Sequence, residues 1–212
     1  MMNSRIEMLT ADLRDASLRE RCERLYPLLP PEERRKAGRF LRDDDRMRFL
    51  AGRLLIRTMA EKKCGSTLPE IRLTENGKPY FAGAEGLHFN LSHSGMLTVL
   101  AVSDAPVGVD VEQIVPLEWR SIAESFGAYE QAMLEQAADP LRCFYRIWTV
   151  REAYAKEAGI GLSLYEERMP EIHYARGIVR DGGRTRYFSA WEQAGYAFCV
   201  CGSAPFQLTR LP

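Results

Sequence analysis

The succession of apolar and polar positions divides the chain into helical and extended stretches that alternate twice. Pro31 suits the first turn of a helix, and the pattern predicts helix through "EERRKAGRF". A restart at Asp43–Asp45 carries Met47, Leu50, Leu54 and Leu55 toward a stop at Gly65. "IRLTENGKPYF" predicts two short extended pieces around the Asn76-Gly77 turn. "LHFNLS" alternates Leu87, Phe89 and Leu91 as a half-buried strand would, and "MLTVLAVS" and "VGVDVE" predict further strands. The pattern turns helical again after Pro116, with Asp139 as cap and Pro140 in the first turn of a helix ending near Gly159. Residues 171 to 203 return to strands, with a turn at Asp181-Gly182-Gly183. "GMLTVLAVS" (95–103) and "GYAFCVCGS" (195–203) share Gly and Ser ends at identical spacing, an echo that duplication or chance explains. The order predicts an α+β chain of two α/β halves packed side by side, 1–104 and 105–212.

Composition adds bounds. At 212 residues, 46% hydrophobic and 27% charged, the chain buries a real core and reads as an ordinary soluble protein. Five cysteines (Cys22, Cys64, Cys143, Cys199, Cys201) form no CxxC pair, against a disulfide framework or a zinc site. The start lacks an apolar h-region and no long apolar run follows, so no signal peptide or membrane span is expected, and the reducing cytoplasm is the expected compartment.

The net charge is zero but unevenly spread. From Arg34 to Lys63 there are eleven Lys and Arg against four acids, and from Asp104 to Glu171 thirteen acids against six bases. One region suits anions and the other cations, as a phosphate-bearing molecule held through a metal would require. Two unrelated solvated faces account for the asymmetry equally well.

Three short stretches carry candidate chemistry. In "GVDVE" (108–112) strand alternation puts Asp110 and Glu112 on one face. They form either a wet face or, with an acidic helix residue such as Glu152, an oxygen-rich set suited to Mg²⁺. In "WTVREAYAKEAGIGL" (148–162), Glu152 and Lys156 share a helix face, either as a surface pair or as working groups. In "NLSHS" (90–94), His93 lies between the hydroxyls of Ser92 and Ser94, donors suited to an anion or simply a structural strand end. Lys78 stands on the "NGKP" turn, where a lysine is usually just solvated. No P-loop, GxGxxG, HExxH or GxSxG motif is present.

"NGKPYF", "FNLSHSG", "VGVDVE" and "WTVREAYAKEAGIGL", in this order and at these separations, closely resemble the Sfp-type 4′-phosphopantetheinyl transferases from about Pro31 to Leu164. The resemblance implies a pseudo-twofold pair of α/β halves with the active site between them. It implies Asp110, Glu112 and Glu152 as Mg²⁺ ligands, and Lys156 beside the coenzyme A phosphates. Ser92 and His93 match the pair that meets the 3′-phosphate, with the Gly-Lys-Pro lysine, Lys78, nearby. Arg48 and Lys36 fall where basic residues of the early helices reach the nucleotide phosphates. Glu33 stands where the family's best-known member has a second lysine, and Arg151 replaces the commoner lysine before the metal glutamate, keeping charge but not geometry.

The implied reaction moves 4′-phosphopantetheine from coenzyme A to a serine of an apo acyl or peptidyl carrier protein and releases 3′,5′-ADP. Glu152, directly or through a metal-bound water, is the candidate base, and Trp148 is expected to pack the helix. A monomer is expected, with no nucleic acid or membrane partner. Two rivals are a Mg²⁺-dependent nuclease, whose last Glu and Lys usually sit two apart on a strand, and a non-catalytic coenzyme A-binding module, against which the intact Asp110, Glu112, Glu152 and Lys156 argue.

Overall fold

The computed structural model describes residues 4–65, 70–84, 86–160 and 170–211. Gly161 and Leu162 of the helix signature, and Leu164 at the limit of the resemblance, lie outside the described residues. Each half opens on a strand: the second falls on "VGVDVE" as expected, whereas the sequence pattern did not anticipate the first. β1 (Ser4–Asp12) leads into α1 (Ala16–Leu25), α2 (Pro31–Ala37) and α3 (Asp43–Cys64). The hairpin β2 (Glu70–Leu73) and β3 (Pro79–Ala82) follows, then β4 (His88–Ser94) and β5 (Leu97–Ser103). β6 (Val107–Gln113) opens the second half and leads to α4 (Arg120–Ala123), α5 (Ala128–Gln136) and α6 (Pro140–Ala158). β7 (Glu171–His173), β8 (Ile178–Asp181), β9 (Arg184–Gln193), β10 (Tyr196–Gly202) and β11 (Phe206–Leu211) complete it.

The first sheet runs β11-β1-β5-β4 and the second β6-β10-β9-β8-β7. Their facing sides enclose an apolar layer containing Ile6, Met8, Val99, Val109, Val111, Phe198 and Val200. α1 and α3 cover the outer side of the first sheet, packing Leu50, Leu55 and Met59 on Leu9, Ala11 and Leu100. α6 covers the second, with Ile147, Val150 and Ala153 over Ala197, Cys199 and Cys201. β1 and β5 therefore have no wet face, and the alternation a half-exposed strand would show is missing from their sequences. β4 departs from its expected half-buried pattern for a related reason: Asn90 and Ser92 are as buried as Phe89.

The echo between 95–103 and 195–203 falls on corresponding strands, β5 and β10, but its alignment is one residue out. Ser94 opposite Leu97 closes one hairpin and Gln193 opposite Tyr196 the other, so Leu97 corresponds to Tyr196. The echo pairs Val99 with Cys199, yet Val99 faces the layer between sheets and Cys199 faces α6. A one-residue slip moves every side chain to the other face, and burial decides the register.

The helix from Asp139 to Gly159 forms as expected. Asp139 caps the Arg142 amide at 3.1 Å, and Gly159 closes the helix in the left-handed region at φ 68°. Among the described residues no helix is long and apolar enough to cross a membrane.

Candidate active site

β4 and β6 are edge strands of different sheets and run side by side. The outward amides of β6 find side chains instead of a strand backbone. Val109 N–H donates to Asn90 Oδ1 at 3.0 Å, Val111 N–H to Ser92 Oγ at 3.4 Å, and Gln113 N–H to Ser94 Oγ at 3.0 Å. The polar alternation Asn90, Ser92, Ser94 thus caps an exposed sheet edge with the period of the strand itself.

The same hydroxyls donate onward. Ser92 Oγ donates to Asp110 Oδ1 at 2.8 Å and Ser94 Oγ to Glu112 Oε2 at 2.7 Å. Each serine therefore fixes a strand amide and orients the carboxylate beside it. α6 supplies the third side of the site. Lys156 Nζ donates to Asp110 Oδ1 at 2.6 Å and to Ser92 Oγ at 3.2 Å. This contact needs α6 to lie close on β6, and Gly108 provides the room: a Cβ there would stand 2.0 Å from the Ala153 carbonyl oxygen and 2.4 Å from the Glu157 nitrogen. The glycine of "GVDVE" is the spacer that sets the carboxylates against the helix.

The electrostatics follow from burial. Asp110 is 1% exposed, and desolvation raises its pKa against the opposing pull of Lys156. Desolvation and then the Asp110 charge push the Glu112 carboxyl up to about 7. Glu152, on the same side of α6 as Lys156, is also raised by desolvation, with Lys156 lowering and Asp110 raising it further. Asp110 Oδ2 is buried without a hydrogen-bond partner. Three desolvated carboxyls within electrostatic reach of one another, one with an orphaned oxygen, fit a hard cation by donor chemistry. Among the described residues, however, no three acidic, His or Cys side chains converge closely enough to form a metal centre, and the cation on Asp110 is Lys156.

The other expected residues lie at varying distance from this cluster. His93 projects from the exposed side of β4, its pKa lowered by desolvation and by the Arg48 charge, so it is neutral near pH 7. Arg48 Nη1 donates to the Gly95 carbonyl at 2.6 Å, while Nη2 pairs with Asp45. Lys36 is exposed on α2, its ammonium 5.5 Å from the Phe49 ring centroid. Glu33, the departure noted above, pairs with Arg53 at 2.7 Å. Lys78 is turned away from the carboxylates and donates to the carbonyls of Glu157 at 2.8 Å and Val107 at 3.3 Å. Arg151 is buried against α5 and the residues before it: it pairs with Glu130 at 2.8 Å and covers the Phe126 ring at 4.5 Å. Glu130 in turn accepts from Tyr174 Oη at 2.5 Å. Trp148 stacks on Phe144, as a packing residue would.

Sequence reasoning passed over Asn90 and Gly108 and saw Ser94 only as an anion donor. The signal that finds them is short polar residues at alternate positions of a strand flanked by apolar ones.

This seam of hydroxyls, carboxylates and a lysine belongs to a transferase. The profile described as 4′-phosphopantetheinyl transferase, N-terminal, matches residues 17–105, and that of the 4′-phosphopantetheinyl transferase superfamily matches 106–201. The chain belongs to the Sfp-type 4′-phosphopantetheinyl transferase family. It is 32% identical over 193 residues to a 4′-phosphopantetheinyl transferase of Bacillus subtilis, covering 86% of each chain. It is 28% identical to 4′-phosphopantetheinyl transferase Sfp of Bacillus subtilis strain 168, over 88% of this chain and 87% of that one. It is 39% identical to 4′-phosphopantetheinyl transferase psf-1 of Bacillus pumilus over 155 residues, 71% of this chain and 66% of the relative.

Proposed function

We propose that the chain transfers 4′-phosphopantetheine from coenzyme A to a serine hydroxyl of an apo acyl or peptidyl carrier protein, with Mg²⁺, releasing 3′,5′-ADP. The observation that carries this reading is that Lys156 bonds Asp110 and that Glu112 and Glu152 lie within electrostatic reach of them where β4, β6 and α6 touch, in a chain of this family. Asp110, Glu112 and Glu152 would hold the Mg²⁺, which when bound supplies charge neutralisation at the pyrophosphate.

The protein's own part is positioning and proton handling. Ser92 and Ser94 keep two carboxylates aimed by donating to them. Lys156 has two of its three donors engaged and offers the third to a phosphate oxygen. Glu152, with its pKa raised by burial, is a better proton acceptor near neutrality than an exposed glutamate and is the candidate base for the carrier serine. His93, Arg48 and Lys36 offer donors to the 3′-phosphate region, His93 as a neutral imidazole. Both halves of one chain build the site, so a monomer is sufficient. The described free cysteines, Cys22, Cys143, Cys199 and Cys201, suit a reducing cytoplasm.

The test is incubation of purified protein with coenzyme A, Mg²⁺ and a panel of apo-carriers, read by intact mass. One added 4′-phosphopantetheine on a carrier is expected. No modified carrier across acyl and peptidyl members would overturn the assignment.

A further inference from the structure

The "NGKP" turn between β2 and β3 belongs to the first half but rests on the second. Asn76 Nδ2 donates to the Gly159 carbonyl at 3.0 Å. Lys78 Nζ donates to Glu157 O and Val107 O, and its Cδ lies 3.6 Å from where a Gly159 Cβ would stand. These acceptors mark two particular places. Glu157 O is one of the last carbonyls of α6, which have no partner within the helix, and it directly follows Lys156. Val107 O opens β6, three residues before Asp110. The two elements approach closely here, over Gly108. A cation at a helix C-terminus is favourable in itself, and this one also joins the helix end to the strand start.

We propose that Lys78 is a positioning residue that fixes the last turn of α6 against β6, and so holds Lys156 on Asp110, in place of binding a substrate phosphate. Asn76 serves the same clamp from the adjacent carbonyl. The turn thereby lets the first half set the geometry of groups carried wholly by the second. The kinetic part of this inference rests on the proposed transferase reaction. The backbone part does not.

Two variants test it, Lys78→Met and Asn76→Ala, each studied as the full chain. Amide hydrogen exchange without any ligand should rise about tenfold at Ala158, Gly159 and Ile160 in both, because the clamp closes local opening of that turn. In turnover, Lys78→Met should lower kcat about tenfold to a hundredfold, as loss of alignment does. Its preference for coenzyme A over 3′-dephospho-coenzyme A should match wild type. Asn76→Ala, which removes one neutral hydrogen bond from an exposed side chain, should act in the same direction more weakly and remain folded if Lys78→Met does not. Unchanged exchange in the last turn of α6, or a Lys78→Met enzyme whose KM for coenzyme A rises with loss of the 3′-phosphate preference, would overturn the proposal. Failure of wild type to modify any carrier would instead count against the transferase reading and leave the exchange result to decide the clamp.

Discussion

β1 and β6 occupy corresponding places in the two halves, each beside the second strand of its half's last hairpin, and they use those places in opposite ways. Leu9 lies opposite Leu100 and Ala11 opposite Thr98, where Asp110 lies opposite Cys199 and Glu112 opposite Ala197. All four side chains look toward a long helix, α3 in the first half and α6 in the second. Leu9 and Ala11 are 6% and 2% exposed and simply fill space. Asp110 is buried as deeply but needs Ser92 and Lys156 to be tolerated, and Glu112 needs Ser94. One half of a repeated scaffold keeps the apolar solution that stabilises it; the other gives up that stabilisation to hold charge in a dry place.

Converting one half into the other tests this contrast most severely. Asp110→Leu should lower transfer more than about a thousandfold by removing a carboxylate from the reacting site. Its thermal midpoint should fall, since leucine is bulkier than aspartate and Ser92 and Lys156 lose their acceptor, but the chain should stay folded because Lys156 is 28% exposed and can turn to water. A variant that unfolds would show Asp110 to be structural first. The reverse exchange, Leu9→Asp, puts a carboxylate where no hydroxyl or lysine is built to receive it. It should cost about 3–5 kcal/mol in denaturant unfolding. A loss below about 1 kcal/mol would mean that both halves accept charge alike.

Glu112→Gln gives a smaller, pH-dependent effect. The folded-state carboxyl titrates at about 7 in place of the usual 4.5, so the fold holds a proton that the unfolded chain releases. Wild-type stability should therefore fall as pH rises from 4.5 to about 7 and level off above. Glutamine carries no such penalty and should be the more stable at pH 8 by on the order of 2 kcal/mol, with the gap closing at pH 4. Added Mg²⁺ should narrow the gap by stabilising wild type selectively. A gap independent of pH would remove Glu112 as the titrating group. Smallest is Ser94→Ala, which leaves the Gln113 amide and one Glu112 oxygen without a partner. About 1–2 kcal/mol of stability should be lost in chemical denaturation, against no measurable change for Arg21→Ala at an exposed position of α1.

The sequence made the carboxylates legible because strand period and helix period are local: Asp110 with Glu112, and Glu152 with Lys156, can be placed on shared faces without knowing the fold. The α6 boundaries were legible for the same reason, through Asp139, Pro140 and Gly159. What brings the pieces together was not. Ser92 and Ser94 point at β6 only because two edge strands of different sheets happen to adjoin, and Lys78 reaches α6 across 79 positions of chain to Glu157. β1 and β11 were hidden by burial on both faces or by edge position, which erases the alternation that marks a half-wet strand. The echo was visible, but only the opposing cores reveal that it is one residue out of step.

β11 lies parallel to β1, with Ser4 opposite Phe206 and Leu9 opposite Leu211. On the ribosome this imposes an order of events. β1 is made well before β11, and one of its edges stays open until that strand emerges, because its neighbour on that side is encoded some two hundred positions later. Until then the nascent first half presents an unpaired strand that other chains can pair with. Closure by so distant a segment is slow. The earlier of these two strands is completed only when the later one arrives, and the molecule's two halves are sealed from the outer edge of the first.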